Sequence, residues 1–461
     1  MSDPSRNSFL EGKLSALFVR TALPIVFVMS MNGLVAVTDA LFLGHYVGPD
    51  ALAAVTLMFP FYMLIVALAT LVGGGMSSLL ARHLGGQRLH EARRLFASAH
   101  WLAMAAAALL ILLYAAFGSS LILLAADGND VLAALAAPYL RIIVLFSPVL
   151  FVLSVNSDAL RNEGRAGLMA ATSLVVSISN VGFNYLLIAV LQLGVTGSAC
   201  GTVLAQMLAL GAIVIYRSRS NTPLRLTAVM QHVTTAGWSR ILALGAPQSL
   251  GFVGVALGST AILAALQIAG SQDYPVTVTA YGVVTRALTF AILPLLGLSQ
   301  AMQAITGNNY GAGLWQRGNA SLLVAAGSAL VFCAIAQWCL SVYAAPIGRA
   351  FVDDPRVAAR VGEIMPVSVA LFIVTGPLMM VAAHFQAIGD AARAAVLGLS
   401  KTYLFAIPLT FALPLCFDAN AVWWAAPAAE ASLLGLTVYV LVFTARRQTL
   451  RWGVFKVEGK A

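Results

Sequence analysis

Long apolar runs, separated by short clusters of glycine and charge, set the pattern of this chain. About twelve runs are long enough to cross a bilayer, near 17–44, 51–80, 95–122, 132–157, 166–190, 195–217, 238–268, 277–306, 317–343, 359–386, 394–415 and 421–445. Each must be an α-helix, because lipid offers no partner to backbone N–H and C=O groups. The breaks read GHYVGPD, GGQRLHEARR, RNEGRAG, SRSNTP, GNNYGAGLWQRG and GDAARA. The longest polar connection, around 216–237, divides the chain into residues 1–220 and 221–461, six runs each. The predicted fold class is an all-α polytopic membrane protein with about twelve transmembrane helices in two six-helix lobes.

The two halves read as a repeat. Pro24 in ALPIVF matches Pro247 in GAPQSL, Gly85 matches Gly311, and Gly164 in RNEGRA matches Gly389 in QAIGDA. The offset stays between 223 and 226 residues. Six spans per half preserve sidedness, so the repeat is parallel, about an axis along the membrane normal.

Composition agrees: 60% of the 461 residues are hydrophobic and 9% charged, against about a quarter charged in soluble domains. The net charge of +9 does not indicate nucleic acid, since the basic residues form no block. They follow the positive-inside rule instead. With a cytoplasmic N-terminus, about 21 of the 26 Lys and Arg fall inside. Both termini are then cytoplasmic, in a bacterial-type inner membrane. The opening MSDPSRNSFLEGK has no signal-peptide pattern. Cys200, Cys333, Cys339 and Cys416 lie in or beside apolar runs without metal-site spacing, and are read as packing residues.

Polar residues inside the runs carry the candidate chemistry. Asp39 lies about 7 Å inside the outer end of the first run, by helical rise, and insertion of a carboxylate there costs about 2.5–3.5 kcal/mol. It should face protein or water. Asn32 lies on the same helical face. The fifth run carries Ser173, Ser177, Asn180 and Asn184 as one polar stripe; the sixth carries Ser198, Thr202 and Gln206. Such stripes can bind helices to one another. They can equally surround Asp39 with oxygens, so that it holds H⁺ or Na⁺. Asp158 can cap a loop or pair with Arg161. Arg286 and Glu430 are the candidate polar site of the second half, read as a buried pair or with Glu430 as a second coupling site. No GxxxxGK[ST] loop, HExxH or Ser/His arrangement is present, so the chain is read as ion-coupled and not as an enzyme.

Several stretches resemble the multidrug and toxic compound extrusion (MATE) family, on its DinF-like side. They are VTDALFLGHYVGPDALAAV, ARHLGGQRLHEARR, ALRNEGRA, NVGFNYLLI, GSACGTVLAQ and AYGVVTRALTFAILPLLGLSQAMQAITGNNYGAG. The resemblance implies twelve helices in two lobes and export of small organic cations in exchange for H⁺ or Na⁺, with no other cofactor. It carries a cation site onto Asp39, Asn180, Asn184 and Thr202. Some relatives have Asp where this chain has Asn184, so one carboxylate remains. Met29, Met31, Asn32, Phe59, Gln248 and Tyr281 are the candidate substrate contacts, since Met and aromatic surfaces adapt to varied ligands. A monomer is expected. The competing readings are a lipid-linked precursor flippase and a membrane scaffold without transport.

Overall fold

The computed structural model describes residues 7–126, 129–220, 222–268, 273–448 and 450–455; inside the helices, the side chains at 32, 34–37, 39–41, 44, 49, 52 and 448 are not described. The first half comprises α1 (Leu14–Tyr46), α2 (Pro49–Gly85), α3 (Leu89–Ala125), α4 (Asp130–Leu145), α5 (Ser147–Asn162) and α6 (Ala166–Asn184). A π-helical segment, Tyr185–Val190, extends α6, and α7 (Gly194–Arg219) follows. Then come the short α8 (Thr227–Gln231), α9 (Trp238–Ile268), α10 (Tyr274–Gly311), α11 (Trp315–Val342) and the short α12 (Ala344–Phe351). The chain continues through α13 (Pro355–Ser368), α14 (Phe372–Ile388) and α15 (Ala391–Leu399), a second π segment at Ser400–Ala406, and α16 (Ile407–Cys416). A 3₁₀ turn, Ala419–Trp424, leads into α17 (Ala425–Gln448).

Ten of the described helices, with their extensions, are long and apolar enough to span a bilayer, and two bent pairs bring the total to twelve. The pairs are α4–α5, bent by 47°, and α13–α14, bent by 49°. Both fall on continuous apolar runs in the sequence. The breaks are repeat counterparts, and so are the turns that follow them: Gly164 (φ +77°) and Gly389 (φ +89°) both take the left-handed conformation that glycine adopts without strain. Asn and Asp side chains of the polar breaks close helix ends. Asn129 accepts from Val131 and Leu132 N–H to start α4, and Asp354, Asp390 and Asp418 cap α13, α15 and the 3₁₀ turn.

By contacts, the described residues of Met1–Glu11 and Leu23–Phe252 form one compact unit, and those of Gly12–Ala22 and Val253–Ala461 the other. The chain changes unit inside α1 and inside α9, close to the matched prolines Pro24 and Pro247. Contacts and the six-span repeat thus divide the chain by different criteria.

In the first unit, VGGGMSS seats two helices on α2. A Cβ on Gly75 would lie 1.9 Å from the Ile241 carbonyl oxygen, and one on Gly245 would lie 1.9 Å from the Leu71 oxygen. The backbones of α2 and α9 therefore touch, as small residues in membrane helices permit. Gly73 faces Asp158 and Ser154 of α5 in the same way. The connection after α7 lies along α3: Arg93 donates to the Pro223 carbonyl, Ser98 to that of Ala236, and Trp101 to that of Val229. Three carbonyls of this loop are thereby satisfied.

Candidate functional site

The two polar stripes meet in the first unit, where α6 packs on α7. Asn180 Nδ2 donates to Thr202 Oγ1 at 3.1 Å, and Asn184 Nδ2 donates to Asn180 Oδ1 at 3.2 Å. Asn180 and Asn184 are buried. Gly201 makes room for the cluster: a Cβ there would fall 2.4 Å from Asn184 Oδ1. Ser177, one turn before Asn180, is buried with its hydroxyl unpartnered among the described residues. Amide and hydroxyl oxygens of this kind suit a hard cation or a proton-bearing carboxyl group.

The π segment begins directly after Asn184. Single π turns recur at functional sites. Ile188 in that segment joins Leu43 of α1, Ala51 of α2 and Val195 of α7 in an apolar cluster, with Phe42, Val55 and Tyr139 around it. The cluster joins residues of α1, α2, α7 and the π segment. The side chains of Asp39 and Asn32 lie outside the described residues. The helix around Asp39 is described, and Leu43 follows it by four residues.

Around the turn between α5 and α6 of the same unit lies a buried charged network of which the sequence pattern shows only part. The expected Asp158–Arg161 pair is present, with 2.9 Å between Asp158 Oδ1 and Arg161 Nη1. Arg161 also donates to Ser77 Oγ at 2.9 Å, as does Asn162 at 2.7 Å. Beside it, Arg217 pairs with Glu163 at 2.9 Å and donates to the Leu224 carbonyl. Burial raises the pKa of Glu163, and the attraction of Arg217 only partly offsets it. His100 and Asn156 make a further buried contact at 3.0 Å. Sequence offered RNEGRAG and the basic end of α7 as signals, but not their union.

In the second unit the expected Arg286–Glu430 pair gives way to another. Glu430 Oε1 accepts from Lys401 Nζ and, at 2.5 Å, from Thr375 Oγ1. Glu430 is buried, whereas Arg286 is exposed on α10. The reason is geometric: Lys401, on the π segment, and Thr375, on α14, are brought to α17 by packing, and Arg286 is not. Lys401 was visible in sequence as a lone lysine in the apolar run AAVLGLSKTYLFAIPL. The equivalent of the Arg161–Ser77 contact is here neutral: Gln303 Nε2 donates to Gln386 Oε1 at 3.2 Å. His384 is buried on α14.

The candidate substrate contacts divide between the units. Met29, Met31 and Gln248 are half-buried in the first, where Phe59 is exposed. Gln248 Oε1 rests where a Cβ on Gly74 would fall, 2.8 Å away. Tyr281, in the second unit, lies 5.8 Å from the Trp423 ring. Among the described residues no group of three His, Cys, Asp or Glu side chains comes together.

Comparison with known proteins places this geometry. The family model described as MatE matches residues 24–186 and 253–412. The chain is 21% identical over 454 residues to the multidrug export protein MepA of Staphylococcus haemolyticus, covering 98% of each chain. It is 25% identical over 412 residues to the FAD transporter of Shewanella oneidensis, covering 88% of this chain and 89% of that one. Among solved structures it resembles an outward-facing multidrug resistance MATE family transporter of the MOP superfamily. The TM-score is 0.86 at 22% identity, over 93% of this chain and 95% of that one. A MOP superfamily transporter from Pyrococcus furiosus, described by a reversed polarity of its binding pocket, aligns with TM-score 0.87 at 21% identity, over 97% and 99%.

Proposed function

Since the chain belongs to the MatE family, a family of membrane transporters and not of enzymes, we propose that it exports small organic cations by antiport against H⁺ or Na⁺. The cycle is one of alternating access. It operates in the cytoplasmic membrane with both termini inside, on the distribution of Lys and Arg, and in a single copy. Asp39 is the coupling carboxylate, with Asn180, Asn184 and Thr202 as its oxygen-bearing partners.

One observation carries the assignment of Asp39. Leu43 packs with Ile188 in one apolar cluster. Asp39 precedes Leu43 by four residues and Asn184 precedes Ile188 by four. The two helices run in the same direction through the membrane in this topology. Stepping one turn inward along both brings position 39 to the level of the Asn184–Asn180–Thr202 chain. Ion uptake at that carboxylate is the coupling event. It drives export only if the inward and outward states hold the ion with different affinity.

The test is uptake of a fluorescent cationic dye into liposomes under imposed H⁺ or Na⁺ gradients, wild type beside Asp39→Asn. Movement driven by one gradient and lost in the variant supports antiport and identifies the ion. Gradient-driven movement that survives the substitution removes Asp39 from the coupling role. A second reading, export of an anion, is favoured by exposed Arg286 and by the relative named as an FAD transporter. Flux of an anionic dye without flux of cationic ones decides for it, and flux of lipid-linked precursors alone decides for a flippase.

A further inference from the structure

The Lys401–Glu430 pair has features that a closed structural ion pair does not need. Both hydrogen bonds to Glu430 fall on Oε1, and Oε2 is buried without a partner among the described residues. Leaving one oxygen of a buried carboxylate empty is costly; Glu163 Oε2 is left so too, but its partner Arg217 is itself fully buried, whereas Lys401 is not. The two partners are also unequally held. The Glu430 side chain is 6% exposed, that of Lys401 34%. Glu430 sits among buried Ala429 and Leu433, and the neighbouring turn of α14 is packed tightly, with Cys333 Sγ 2.8 Å from where a Cβ on Gly376 would lie. Lys401 stands on the π segment Ser400–Ala406, in which no residue is buried. An ammonium on a long flexible stem is therefore held at a buried carboxylate from an open, irregular turn.

We propose that Glu430 and Thr375 form a binding site for the cationic group of a small molecule with N–H donors, a guanidinium or protonated amine, and that Lys401 is its tethered competitor. With the site empty of ligand, Lys401 neutralises the carboxylate. An arriving cation takes both oxygens, Oε2 included, and Lys401 swings outward with its charge retained. Charge at the carboxylate stays balanced in both states. Arg cannot replace Lys401 in this role, because its planar fork would engage both oxygens at once. The inference rests on the cation-efflux reading for its ligand class, yet it concerns binding and not transport.

The competitor sets the size of the effect. A tether that leaves the carboxylate free a tenth of the time weakens apparent affinity about tenfold. Benzylguanidinium binding to the purified full-length protein in detergent is the direct test, by titration calorimetry. Lys401→Gln is expected to bind about tenfold more tightly than wild type. Glu430→Gln and the double variant are expected to bind it weakly and alike. Unchanged affinity in a folded Lys401→Gln protein overturns the proposal.

Removing Lys401 can unfold the second unit, so a wild-type measurement stands beside the variants. The sequence has four lysines, Lys13, Lys401, Lys456 and Lys460. Acylation by a water-soluble amine reagent, read by mass spectrometry, is expected to rise severalfold at Lys401 when benzylguanidinium is added, and to stay constant at Lys13. Unchanged or reduced acylation of Lys401 at saturating ligand overturns the proposal. Dye flux coupled to an ion gradient, measured on the same preparation, reports the efflux reading separately, so the two can fail independently.

Discussion

Pro148 and Ile373 occupy the same place in the repeat, 225 residues apart, and both stand at the start of the second limb of a bent span. The first half makes its bend by omitting a donor, since proline has no N–H. The second half keeps the donor and satisfies it from outside: Ile373 N–H donates to Gln337 Oε1 at 2.7 Å, while Gln337 Nε2 donates to the Ala370 carbonyl at 2.9 Å. One side chain of α11 thus serves both groups freed by the break between α13 and α14.

This equivalence makes a rescue experiment specific. Gln337→Ala leaves an N–H and a C=O unpaired, at about 1–3 kcal/mol each, and should lower the thermal midpoint in detergent. Adding Ile373→Pro removes the stranded N–H and should recover part of the loss. A double variant less stable than the single one would refute the equivalence of the two bends.

Contact between α2 and α9 depends on glycine at two positions. Gly75→Ala or Gly245→Ala sets a Cβ 1.9 Å from a backbone oxygen, and should sharply reduce the yield of folded protein. Gly251→Ala, on the same α9 with open space around it, should be neutral or stabilising by about 0.5–1 kcal/mol. Fluorescence-detected size exclusion compares the three, and equal behaviour would contradict the close approach.

Two acids outside the spans should respond to pH with opposite sign. Burial raises the Glu163 pKa above 4.5 despite Arg217. Wild type should therefore gain stability relative to Glu163→Gln as pH falls from above the raised value toward 4.5. Backbone and side-chain hydrogen bonds from Arg356 lower the pKa of Asp354 below 3.8. Its contribution is present above 3.8 and is lost as pH falls through the lowered value. Thermal midpoints of wild type, Glu163→Gln and Asp354→Asn across a pH series check both slopes.

The chain of Asn184, Asn180 and Thr202 should be sensitive to crowding. Gly201→Ala places a Cβ 2.4 Å from Asn184 Oδ1 and displaces that oxygen. Asn180→Ala removes the middle link, at about 1 kcal/mol, or a factor of about five in affinity. Both variants are expected to raise the ion concentration for half-maximal dye flux while leaving the protein monodisperse. An unaltered ion dependence would remove this cluster from the coupling site.

How much of this was legible in sequence depends on the range of the physics involved. The spans and the breaks between them follow from local rules: an apolar run in lipid must be a helix, and glycine and charge interrupt it. The stripe of Asn180 and Asn184 is a matter of helical period, and the structure joins it to Thr202 as its spacing allowed. The partner of a buried charge is a different matter. Arg286 and Glu430 were natural to pair on charge alone, but helix packing carried Lys401 and Thr375 to Glu430 instead. The bend at Ile373 is likewise invisible in its own segment, because the residue that stabilises it lies on α11. Sequence by itself determined what each segment must be and where the chain turns between spans. Tertiary structure alone decided which polar groups meet, since their desolvation is compensated by neighbours set by helix rotation and depth, quantities that no local pattern encodes.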